Sequence, residues 1–118
     1  MSKLPNRVRL SQQATDKLRY LKSRTDITPN ILSRIAIMLA IRENGDLTNA
    51  GVSDYNGQVL DQSVLFGEHV DAYEVIINQF VYDKKITMNL EKVIAALVEV
   101  GVYKMGHIRD VSQIHSVI

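Results

Sequence analysis

The stretch IAIMLAI, Ile35 to Ile41, constrains this chain more than any other. Thr28 ahead of Pro29 marks a helix start, with Thr28 as N-cap and Pro29 at the first helical position, where its missing N–H costs nothing. Ile27 and Leu32 have the spacing of a hydrophobic staple, and the helix is predicted to run to about Glu43 and stop near Asn44-Gly45. At about 100° per residue, seven successive apolar positions cover the whole circumference, and a helix apolar all round must be buried all round. Either the other helices of the same chain wrap it, or it forms a subunit interface.

The residues before it bear on that choice. Pro5 precedes Asn6-Arg7-Val8-Arg9-Leu10, where Val8 and Leu10 alternate with Arg7 and Arg9, the period of a short strand. A lone strand leaves its backbone groups unpaired, and one remedy is the same strand from a second copy. Ser11 then reads as the N-cap of a helix to about Arg24, with Ala14, Leu18 and Leu21 as its apolar stripe. Lys17, Tyr20 and Arg24 fall on one flank of that stripe, and Arg19 and Lys22 on the other.

Strand, helix, tight turn and helix thus fill the first 43 residues, the order of a ribbon-helix-helix dimer, one of the β-ribbon readers of DNA. The expectation is a mainly α, oligomeric protein: a ribbon-helix-helix-like N-terminal half followed by two or three further helices. A helical bundle with an extended N-terminal arm is the alternative. Val8, Leu10, Ile35, Ile37, Met38, Leu39 and Ile41 are the expected oligomer interface.

The 118 residues fit one domain, read as a basic unit over 1–43, a loop over 44–66 and a helical, acidic remainder over 67–118. NGDLTNAGVSDYNGQVLDQ, with three each of Gly, Asn and Asp, marks turns, with a short hairpin around Asn56-Gly57 as an option. A third helix is predicted to open near Gly67-Glu68 with Val70, Tyr73, Ile76, Ile77 and Phe80 as its apolar face, ending near Asp83-Lys84. A fourth starts around Thr87 to Asn89, carries Leu90, Val93, Ile94, Leu97 and Val98, and has Gly101 as its stop. GHIRDVSQIHSVI forms a further short helix or docks late.

Charge is divided along the chain. Residues 1–42 hold nine Lys and Arg against two acids, +7; residues 43–118 hold five against eleven, −6. Such asymmetry points to a polyanion-binding end. Lys17, Arg19, Lys22 and Arg24 suit phosphates, Arg7 and Arg9 suit phosphates or base edges, and the helix start at Thr28 and Asn30, with Arg34 one turn on, suits an anion. The competing reading gives these cations to ion pairs with the acidic remainder.

Catalysis finds no motif. Without cysteine there is no disulfide, thiolate nucleophile, cysteine-ligated zinc or protein-held iron–sulfur cluster, which fits a cytoplasmic protein. His69, His107 and His115 form no zinc spacing, and Gly45, Gly51 and Gly57 form no phosphate loop, so no metal or cofactor is expected. Glu68 and Asp71 suit a helix N-terminus, where acids meet the positive end of the dipole. A nuclease built from dispersed acids needs no such cluster and stays an alternative. MSKLPNRVRL has no apolar core, so no signal peptide is expected, and a seven-residue apolar run is short of the roughly 20 that span a membrane.

LPNRVRLSQQATDKLRYLKSRTDITPNILSRIAIMLAI together with LFGEHVDAYEVIINQ resembles the DndE family of the DNA phosphorothioation (DNA sulfur modification) system, over residues 4–43 and 65–80. The resemblance implies a small, helical, ribbon-helix-helix-like protein that can assemble as a tetramer; the sequence itself leaves a homo-oligomer, dimer or tetramer. It implies binding to duplex DNA, nicked duplex above all, through basic residues. By position that role falls to Lys17, Arg19, Lys22 and Arg24. It also implies other subunits of the machinery as partners, carrying the sulfur chemistry in keeping with the absence of cysteine here. Some relatives are said to nick DNA, so a nicking endonuclease is one alternative; a sequence-specific ribbon-helix-helix repressor, with Arg7 and Arg9 reading bases, is the other.

Overall fold

The computed structural model describes residues 2–43, 47 and 54–106. Strand β1 (Arg7–Arg9) leads into α1 (Gln12–Thr25), then α2 (Pro29–Arg42). After β2 (Val59–Asp61) come a short α3 (Gln62–Phe66), a 3-10 turn over Gly67–His69, α4 (Val70–Asp83) and α5 (Leu90–Lys104).

The helix starts lie where the caps put them. The Ser11 hydroxyl accepts from the Ala14 N–H at 3.0 Å, and the Asn89 side chain accepts from the Lys92 N–H at 2.9 Å. α1 closes on Asp26, whose left-handed backbone (φ 60°) lets its N–H reach the Lys22 carbonyl at 2.8 Å. Thr28 precedes α2 in extended conformation, but its hydroxyl makes no capping bond.

The strand finds its partner within the chain. β1 pairs antiparallel with β2, Val8 opposite Leu60, so the need for a strand from a second copy disappears. The partner lies inside the segment expected to be loop, as does α3. Val59 and Leu60 are adjacent apolar residues, so this segment shows no period-two alternation in the sequence. Gly57 leads the chain into this pairing and donates to the Leu10 carbonyl at 2.9 Å, while Leu10 donates to Gln58 at 2.9 Å. A Cβ on Gly57 would lie 2.2 Å from the Ser11 carbonyl oxygen, so only glycine lets the strand approach the start of α1 this closely.

The helix buried all round is α5. Val93 to Val98 are buried in unbroken sequence, as are Val100 to Val102. Its most extensive contact is with α2, and Gly101 sits at the crossing, where a Cβ would lie 2.0 Å from the Ala36 carbonyl oxygen. Gly101 therefore does not stop the helix, which continues to Lys104; its small size admits the main chain of α2.

α2 is largely enclosed by its own chain, so most of the residues expected at an oligomer interface are covered within it. Val8, Leu10, Ile37 and Leu39 lie in the core; Ile35 and Ile41 are half-buried against it, and Met38 is 37% exposed. α4 presents Ile77 and Phe80 to the core. Asn44-Gly45, and the tail with His107 and His115, lie outside the described residues. Among the described residues no helix is long and apolar enough to cross a membrane.

Candidate nucleic-acid interface

α1 buries Ala14, Leu18 and Leu21 together with Thr15 and Thr25, which leaves its cations on two flanks. Arg19 and Lys22 meet Pro29 at the start of α2 and Gly57 and Gln58 ahead of β2, around an open groove of about 520 Å³. The turn at Asp26 thus brings one flank of α1 beside the N-terminus of α2. The first bond of α2 runs from the Leu32 N–H to the Thr28 carbonyl at 3.0 Å, so the N–H groups of Asn30 and Ile31 precede the helical ladder. Thr28 is exposed beside them.

On the other flank, Lys17 and Tyr20 face the end of α5 across a groove of about 650 Å³, which Gln13, Asp16, Leu21, Val102 and Gly106 complete. The Lys17 ammonium lies 5.8 Å from the Tyr103 ring centroid, and the Arg24 guanidinium 5.4 Å from that of Tyr20, both within cation–π range.

Few of these cations are matched by acids. Arg7 faces Asp61 across the sheet at 3.5 Å, and Arg19 reaches Asp16 at 3.7 Å, each pair largely exposed. Exposed pairs of this kind contribute little and exchange readily for another anion. Among the described residues, Arg9, Lys17, Lys22 and Arg24 have no carboxylate within 4.0 Å. Arg9 projects from the exposed side of β1, whose pattern buries Val8 alone.

Arg34 is placed differently. Its Nε donates to the Leu65 carbonyl at 2.5 Å and its Nη2 to the Val64 carbonyl at 3.1 Å, joined by the Asn30 amide to Val64 at 3.3 Å. These bonds satisfy carbonyls at the end of α3, so Arg34 fastens α3 to α2. The chain then turns through Gly67 (φ +57°), where a Cβ would lie 2.8 Å from Arg34 Nη2. The phenol of Tyr73, 4.9 Å from the Phe66 ring, is pushed above its ordinary pKa by burial, with the Arg34 charge opposing the shift. Phe66-Gly67, an aromatic before a left-handed glycine, was the only sequence trace of this junction.

Glu68 and His69 stand exposed on the 3-10 turn. Among the described residues no three His, Asp or Glu side chains gather as metal ligands would.

A two-stranded ribbon and a helical body that holds one cationic helix on its surface define a class of small helical proteins. Within that class, a family model described as DNA sulphur modification protein DndE matches residues 7–113, and the chain belongs to the DndE family. The crystal structure of DndE from Escherichia coli B7A, involved in DNA phosphorothioation modification, superposes with a TM-score of 0.70 at 32% identity, covering 86% of this chain and 98% of that one. A crystallised mutant of DndE gives a TM-score of 0.70 at 30% identity with the same coverage. No curated relative matches.

Proposed function

We propose that this chain is a DNA-binding subunit of the DNA phosphorothioation machinery, holding duplex and preferentially nicked DNA through the cationic surface of α1 without strong sequence preference. The observation that carries the reading is the set of cations without a carboxylate partner among the described residues: Arg9, Lys17, Lys22 and Arg24. Arg19, with only an exposed pair, and the leading N–H groups of α2 add to it.

Side chains of this kind on a helix flank meet phosphates, which position a protein on DNA but carry no sequence information. Arg34 has no part in this contact, because its guanidinium holds α3. Membership of the DndE family supports sulfur modification as the setting and other subunits of that machinery as partners. Self-association would use what the fold leaves exposed on α2, Ile31 and Met38, with the half-buried Ile35 and Ile41 beside them.

Affinity for duplex DNA measured against salt tests the reading. Each phosphate neutralised contributes about −0.9 to the log–log slope, so Arg19→Ala with Lys22→Ala should weaken binding and flatten the slope by about 2. An unchanged slope would place the contact surface elsewhere.

A further inference from the structure

The two flanks of α1 differ in a way that phosphate binding alone does not require. The Arg19–Lys22 groove is walled by polar residues and backbone, whereas the groove at the end of α5 combines the Tyr20 ring, the Lys17 ammonium and an apolar floor, with Tyr103 beside Lys17. Tyr20 is 46% exposed and Tyr103 72% exposed, each with a cation near its ring. Leu21 and Val102, both buried, line the groove as its apolar floor. Tyr20 lines the groove and Tyr103 stands next to its Lys17, so two partly exposed rings, each with a cation beside it, offer a stacking surface there.

We infer that this groove receives an unstacked nucleobase at a strand discontinuity, the base stacking on Tyr20 and Tyr103 while Lys17 and Arg24 hold its flanking phosphates. Single-stranded nucleic acid is held in this manner elsewhere, by aromatic side chains beside a cationic track, and stacking tolerates any base because every base has a π face. A volume of about 650 Å³ lies within the range of small-ligand sites. Asp16, the one acid at the rim, faces Arg19 at 3.7 Å and accepts from the Gln12 amide, which moderates its repulsion of a phosphate. In a paired, stacked duplex no base is free to enter, so the groove favours DNA whose strand is interrupted. The inference rests on the DNA-binding reading and adds a physical reason for preferring a nick.

The test uses two probes: a duplex with 2-aminopurine unpaired opposite a one-nucleotide gap, and the intact duplex with the same base paired. Wild-type protein should bind both, bind the gapped probe more tightly, and quench its fluorescence by stacking. Tyr20→Leu with Tyr103→Leu should abolish the quenching and weaken gapped binding about tenfold while leaving intact-duplex affinity unchanged. Both rings are exposed, so the variant should fold as wild type. Tyr20→Phe with Tyr103→Phe, which keeps the rings, should behave as wild type. Equal loss on both probes, or quenching that survives the leucine variant, would overturn the inference and leave the DNA-binding reading standing. Binding to neither probe by the wild type would overturn both.

Discussion

Replacing Gly101 by alanine sets two effects of opposite sign against each other. Alanine is the better helix former by about 1 kcal/mol, so an isolated α5 would gain. In the folded chain the new methyl would lie 2.0 Å from the Ala36 carbonyl oxygen, 2.4 Å from its carbon and 2.5 Å from its Cα, all main chain. A carbon against a carbonyl oxygen needs about 3.3 Å, so α2 and α5 must separate by about 1 Å at their crossing. Overpacking typically costs about 1–3 kcal/mol, and a displacement imposed on the largest helix contact of the chain belongs at the upper end. The net expectation is about 2 kcal/mol of destabilisation, a fall in Tm of about 8 °C for a domain this size. Urea unfolding followed by circular dichroism would measure it. Ala36→Gly should not rescue the variant, because the atoms struck belong to the backbone. A Gly101→Ala protein as stable as wild type, or more stable, would refute the close crossing.

Two further outcomes follow from the α2–α3 junction. Arg34→Met should release the Val64 and Leu65 carbonyls and cost about 2 kcal/mol, since bonds from a charged donor each contribute about 1.5–3 kcal/mol before solvent screening of this half-buried group. Urea unfolding would show the loss and a filter-binding assay unchanged DNA affinity; lost affinity at unaltered stability would restore Arg34 to the DNA contact. Burial raises the Tyr73 pKa above its ordinary 10.0, so above pH 10 the unfolded chain releases this proton more readily than the folded one. The stabilisation is whole below pH 10 and is lost as pH rises through the folded-state pKa. Tyr73→Phe should therefore show a shallower alkaline fall in stability, and an identical fall would contradict the assigned environment.

What could be read in advance was what is local. Ser11, Asp26, Pro29 and Asn89 act within one turn of themselves, and each bounds a helix as its residue type indicates. The basic flanks of α1 followed from helical spacing alone. What escaped depends on distant residues. β2 is recognisable only by its partner, 52 residues back at the pairing of Val8 with Leu60. Gly101 has the residue type of a C-terminal stop, but its surroundings come from α2. The enclosed helix was misassigned for a similar reason. Glu99 interrupts the apolar run of α5, yet Ser11, 88 residues away, donates a hydrogen bond to it and lets it sit beside the core. Arg34 resembled its cationic neighbours until α3 supplied the carbonyls it binds.

The measurement that tests the central claim most directly is a gel-shift titration of intact duplex, nicked duplex and single strand, at two salt concentrations in EDTA. The account predicts tightest binding to nicked duplex, weaker binding to intact duplex, and a steep loss of both as salt rises. No binding to any of the three, or binding indifferent to salt, would contradict it and assign the cations of α1 to a protein partner.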